Sequence, residues 1–153
     1  MSALYFEDLA PGMRFVSAGV TLSEAQILDF AFQYDPQPFH IDVKAAAEGP
    51  FGGLIASGFQ TLAVSFRMIY QTGWFAGTGL GAFGIDQLRW PRPVRPGDTL
   101  TVTAEITAAR RSASRPDRGL VSVRYVTVNQ DGETVLDFTA SQIIQAPDPG
   151  QPA

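Results

Sequence analysis

In the second half of the chain, apolar and polar residues alternate. From Leu100, the apolar positions Val102, Ala104 and Ile106 are interleaved with Thr101, Thr103 and Glu105. A period of two predicts a strand with one face buried. Further strands are expected over Phe83 to Trp90, Leu120 to Val128 and Thr134 to Ile144. Pro91, Pro93 and the turn Arg95-Pro96-Gly97-Asp98 punctuate the first gap, and Asp131-Gly132 predicts a two-residue hairpin in the last. Consecutive strands joined by short turns imply an antiparallel sheet.

The first half follows a different period. After a short strand around Met13 to Val20, Thr21 with Glu24, or Ser23 with Gln26, has capping-box spacing and predicts a helix start. Ile27, Phe30, Ala31 and Tyr34 then form one apolar stripe, and Pro36 biases Asp35 away from helical backbone angles and ends the helix. Asp42 is placed to cap a second short helical turn that runs to Gly49. Ser57 and Gln60 open a longer helix, with Gly73 as its expected stop. Phe59, Leu62, Val64, Phe66, Met68 and Tyr70 leave that helix apolar around most of its circumference, and Arg67 is its only charge. Such a helix is expected to be buried on most sides. An antiparallel sheet curled around one central helix accommodates both halves, which gives an α+β fold.

Composition narrows the function classes. The chain has 153 residues, 45% of them hydrophobic and 17% charged, which suits one compact domain. That domain is expected over residues 1–145, with 146–153 as a disordered tail. Without cysteine there is no thiolate catalysis, zinc finger or disulfide framework, and a reducing cytoplasm is the expected compartment. No apolar run approaches the roughly 20 residues of a membrane span, and the first eight residues lack the basic-then-apolar order of a signal peptide. A net charge of −4 argues against broad nucleic-acid binding.

The chain holds one histidine, His40, in the stretch Tyr34-Asp35-Pro36-Gln37-Pro38-Phe39-His40-Ile41-Asp42. Two prolines place Asp35 and His40 on a stiff loop. A carboxylate and an imidazole so held can share one water, one positioning it while the other exchanges its protons. Equally, Asp35 can cap a turn beside an unrelated histidine. The second feature is Gly52-Gly53-Leu54-Ile55-Ala56-Ser57-Gly58-Phe59, which leads into the apolar helix. Free N–H groups at a helix start can hold a carbonyl oxygen that becomes an oxyanion, although an ordinary capped helix entry has the same sequence. Arg110, Arg111, Arg115 and Arg118, and also Arg92 and Arg95, suit either phosphate contacts or solvated turns. Phe51, Tyr70 and Trp90 suit either an acyl tunnel or core packing.

Taken together, Asp35-x-x-Pro38-x-His40, then Gly53-Leu54-Ile55-Ala56-Ser57-Gly58, then Arg95-Pro96-Gly97-Asp98 before a long strand resemble the MaoC-like, (R)-specific enoyl-CoA hydratases. The resemblance runs from about Leu4 to Ile144 and implies a hot-dog fold assembled as homodimers or dimer-based oligomers. It also implies hydration of 2-enoyl-CoA thioesters, or dehydration of (R)-3-hydroxyacyl-CoA, with no metal and no cofactor beyond the coenzyme A of the substrate. By that resemblance Asp35 and His40 are the catalytic pair, and Gly53, Ser57, Gly58 and Phe59 contact the substrate. The chain departs from the family pattern at Ser57, where many members have histidine, and at Gln37, where many have asparagine. It also has Ala63 near a position where many hydratases have serine.

Four rival readings use the same residues. A hot-dog thioesterase or a non-catalytic acyl-CoA-binding protein would share the fold. A serine hydrolase would need Ser57 as nucleophile, His40 as base and Asp35 or Asp42 as orienter. A metal site would draw on Asp35, His40 and Asp42.

Overall fold

The structure, a computed structural model, describes residues 2–147. After a single 3₁₀ turn at Phe6–Asp8, the chain forms β1 (Arg14–Val16), β2 (Val20–Thr21), α1 (Glu24–Tyr34), α2 (Pro38–Ile41), α3 (Val43–Glu48) and α4 (Gly58–Tyr70). Four long strands follow: β3 (Gly79–Arg89), β4 (Thr99–Arg111), β5 (Arg118–Val128) and β6 (Thr134–Gln145). The sheet is antiparallel in the order β1-β4-β5-β6-β3, with β2 also paired to β4.

The alternation seen in the sequence defines the core. Leu100, Val102, Ala104 and Ile106 of β4 are buried, as are Val121, Val123 and Tyr125 of β5 and Leu136, Phe138 and Ala140 of β6. These side chains form one inner face of the sheet, and Met68 and Ile69 of α4 join the same cluster. No helix among the described residues is long and apolar enough to cross a membrane.

Local chemistry starts the helices where the capping residues stand. Ser23 caps α1 in a reciprocal box with Gln26, and the Asp42 carboxylate accepts the Ala45 N–H at 3.0 Å to start α3. The Arg95–Asp98 turn joins the entry of α1, since Gly97 N–H donates to Leu22 O at 2.7 Å and Leu22 N–H to Asp98 O at 3.0 Å. Gly97 adopts φ +88°, a left-handed backbone that suits glycine. This junction fixes Val94, whose carbonyl accepts the Ala56 N–H at 2.8 Å just ahead of α4.

Several expectations are corrected. The single strand expected over Met13 to Val20 is two short pieces, and the last hairpin turns through five residues. There the Asn129 side-chain oxygen accepts the N–H groups of both Asp131 and Glu133, which favours the wider loop. Gly73 is not the helix stop, because α4 ends at Tyr70 and Gly73 turns the chain three residues later at φ +84°. Within the segment expected as a tail, Ala146 is buried and its N–H donates to Asp117 O at 2.8 Å, while 148–153 lie outside the described residues.

The largest correction concerns α4. Its buried residues include Gln60, Thr61 and Ser65, while Phe59, Phe66 and Tyr70 are exposed. Ser65 Oγ and Thr127 Oγ1 lie 2.8 Å apart, and the Gln60 amide N–H donates to Gln26 O at 2.9 Å, while Gln60 Oε1 is buried without a partner. The outward aromatics adjoin β3, an edge strand with no buried residue on which Leu80, Phe83 and Ile85 are exposed. One apolar side of the central helix therefore continues onto an unpaired sheet edge.

Candidate active site

The site is built from two helix ends. Asp35 is the C-cap of α1, where Pro36 stops the helix, and its backbone N–H still bonds Ala31 O. His40 lies not on a loop but on the one-turn helix α2, started by Pro38 at its first position. Two bonds tighten the connection: Gln37 N–H to Asp35 O at 2.9 Å and His40 N–H to Gln37 O at 2.8 Å. The geometry brings His40 Nε2 to 3.2 Å from Asp35 Oδ2. Both side chains are largely buried.

The imidazole is oriented by the main chain. His40 Nδ1 lies 2.7 Å from Ile55 O, which can only accept, so Nδ1 carries a hydrogen. Nε2 is then the nitrogen free to exchange a proton with Asp35 or a bound water. Ile55 N–H in turn donates to Phe39 O at 3.1 Å, which ties this segment to α2 in both directions.

Each oxygen of Asp35 has a donor. Gln37 Nε2 donates to Oδ1 at 2.8 Å and the Ser57 hydroxyl to Oδ2 at 2.7 Å. Burial pushes the carboxyl pKa up, but the bonds from Ser57 and Gln37 and the nearby His40 outweigh it and hold it below the ordinary value of 3.8. Asp35 is thereby kept ionised.

The pair borders a cavity of about 400 Å³ whose walls include Phe51, Gly58, Phe59, Thr61, Trp90 and Arg92. Gly58 is the first residue of α4, so its N–H has no acceptor within the helix. Phe59 also borders a second, almost wholly apolar groove of about 370 Å³ between α4 and strands β3 and β6, where Ala63 and Phe66 lie. Thr61 of the cavity wall and Trp90's packing on Gly58 carry no separate sequence signal, and neither does the Ile55 carbonyl.

The residues expected at the substrate divide into two groups. Asp35, His40, Gly58 and Phe59 all border the cavity, as do Phe51 and Trp90. Gly53 and Ser57 do not. Gly53 packs beside Arg95, whose guanidinium donates to Phe51 O, and Ser57 is fully buried behind Asp35. Tyr70 lies at the far end of α4, away from the cavity. Arg111 pairs with Glu7 and Arg118 with Asp117 at the β4–β5 tip, where Arg110 and Arg115 also lie. That tip is the end of β4 away from the cavity, about 40 Å along the strand at ~3.3 Å per residue. Of the arginines considered, Arg92 borders the cavity.

The serine-hydrolase arrangement is not formed. The Ser57 hydroxyl donates to Asp35 rather than to His40, and the residue is sealed from solvent. Asp42 caps α3 instead of joining Asp35 and His40, and no group of three metal-binding side chains converges among the described residues.

An antiparallel sheet backed by one central helix defines a hot-dog fold. The chain belongs to the MaoC-like domain family, whose model matches residues 8–129. It is similar to the crystal structure of a MaoC-like dehydratase from Rhodospirillum rubrum, with a TM-score of 0.89 at 42% identity over 95% of this chain and 99% of that one. It is 29% identical to an (R)-specific enoyl-CoA hydratase from Rhodospirillum rubrum, over 93% of this chain and 92% of that protein. A Mycobacterium tuberculosis protein with a double hot-dog fold matches with a TM-score of 0.82 at 25% identity, over 99% of this chain and 47% of that one.

Proposed function

We propose that the protein is a hydro-lyase that adds water to a 2-enoyl-CoA thioester to give the (R)-3-hydroxyacyl-CoA, and catalyses the reverse dehydration. The observation that carries this reading is the Asp35–His40 contact at 3.2 Å, on the wall of a cavity that also includes the first residue of α4. A water held between Asp35 and His40 gives up a proton to the pair as its oxygen bonds to C3. The π electrons of C2–C3 move toward the thioester carbonyl, whose oxygen gains negative charge. The Gly58 N–H and the positive end of α4 stabilise that charge. A proton returned to C2 by the pair completes the addition. One water is consumed and nothing is oxidised or reduced, so the chemistry balances with water and thioester alone.

The apolar groove beyond Phe59 suits the acyl chain, and Arg92 at the cavity wall suits a phosphate of coenzyme A. The exposed edge of β3 suits pairing with a second copy, giving a homodimer. A cysteine-free chain acting on a coenzyme A ester fits the cytoplasm.

Incubation with crotonyl-CoA tests the reading. Loss of enoyl absorbance without free thiol is the expected result. Release of thiol identifies a thioesterase instead, and binding without conversion of any enoyl chain length identifies a non-catalytic acyl-CoA-binding protein.

A further inference from the structure

We propose that Ser57 is a positioning residue that couples the start of α4 to the Asp35 carboxylate, so that the helix end and the catalytic anion are joined through one hydroxyl. Ser57 Oγ accepts the Phe59 N–H at 3.2 Å and donates its own hydrogen to Asp35 Oδ2 at 2.7 Å. Phe59 N–H is one of the unsatisfied donors that carry the positive end of the helix dipole. A hydroxyl that accepts from such a donor is polarised and becomes a stronger donor itself, so the helix end acts on Asp35 at one remove. Ser57 is 0% exposed, which removes competing water from both bonds.

This arrangement sets the division of labour within the pair. Asp35 Oδ2 receives both the Ser57 hydroxyl and the His40 contact, and Oδ1 receives Gln37. An oxygen so supplied is a poor resting place for a proton. Protons at the site therefore pass chiefly through His40 Nε2, whose ring is already oriented by Ile55 O, while Asp35 serves as the fixed anion. The titratable and charged groups that border the cavity with Asp35 are His40 from α2 and Arg92; Ser57 and Gln37 are its neutral donors.

The catalytic part of the inference rests on the hydratase reading above, whereas the coupling itself can be read without turnover. In a carbon-13 NMR titration of the Asp35 carboxyl, Ser57→Ala is expected to move the titration upward in pH. Ser57→Thr, which keeps the hydroxyl, is expected to return it to the wild-type position, and Ser57→Cys, a weaker donor, to fall between. With crotonyl-CoA, Ser57→Ala is expected to lower kcat about tenfold or more, the scale of one hydrogen bond to a charged group, with KM changed less than about twofold. The acidic limb of its pH–rate profile is expected to move in the same direction as the titration. A lowered melting temperature with an unmoved Asp35 titration would reduce Ser57 to a helix cap and overturn the proposal. Should Ser57→Ala fail to fold, the comparison of Ser57→Thr with Ser57→Cys decides, since equal titrations in both contradict the coupling. If the wild type turns over no enoyl-CoA, the titration still settles the role of Ser57 independently of the hydratase reading.

Discussion

Trp90 lies directly on Gly58: its indole N–H donates to Gly58 O at 3.0 Å, and a Cβ at position 58 would come within 2.6 Å of the indole ring. The absence of a side chain at 58 thus allows an aromatic wall and the first N–H of α4 to share one corner of the cavity. Gly58→Ala is expected to push the indole outward, break that bond and lower kcat/KM about tenfold, by misplacing the thioester relative to its donor. Fluorescence quenching by acrylamide reports the displacement, because the only other tryptophan, Trp74, is fully buried.

Asp35→Asn and His40→Ala are each expected to lower kcat on crotonyl-CoA by about 100-fold or more, the usual scale for general acid–base groups. Circular dichroism should be unchanged in both. Near-normal turnover in the two variants would remove the mechanism.

The Asp35 carboxyl also links stability to pH. Its folded pKa is held below the ordinary 3.8, so the unfolded chain binds this proton more readily than the folded one. Its contribution is fully present above the unfolded value, declines below about pH 4, and is lost as pH falls through the folded value. The stability difference between wild type and Asp35→Asn, from urea melts across pH 2 to 7, should be flat at neutral pH and shrink in acid. A difference that grows in acid contradicts this assignment.

If the β3 edge pairs with a second copy, Phe83 is its most exposed apolar side chain, at 77%. Phe83→Lys is expected to weaken self-association by about 30-fold or more, the loss of one anchor of ~2 kcal/mol. Sedimentation velocity over a concentration series measures it. A single monomeric species in the wild type would rule out the pairing.

The hydroxyl pair under α4 allows a different measurement. Ser65→Ala leaves the fully buried Thr127 hydroxyl without its partner and is expected to cost about 1–3 kcal/mol in a denaturant titration. Adding Thr127→Val should restore much of that loss, since no orphan then remains.

The sheet was the most legible part of the fold. A strand buried on one face must alternate, so Leu100 to Ile106 could be placed from sequence alone, and Ser23 and Asp42 marked helix starts through local capping chemistry. The Asp35–His40 pair was legible too, because a short proline-bounded segment brings it together. What stayed hidden was long-range or too short to have a period. The four-residue helix under His40 is one such feature. The hydroxyl of Ser57 reaches a carboxylate 22 positions earlier, and no spacing rule encodes that contact. The apolar composition of α4 predicts burial on most sides, but composition does not say whether the chain's own sheet supplies the cover. Here Phe59, Phe66 and Tyr70 are left uncovered by their own chain.

The acceptor that aligns the imidazole belongs to the peptide group of Ile55 and not to any side chain. Replacement of the Ile55 side chain therefore cannot delete it, and only a rerouted backbone would. The ring's orientation thus depends on the path of the main chain at 55, so a comparison of side chains alone would overlook one of the parts that holds the histidine in register.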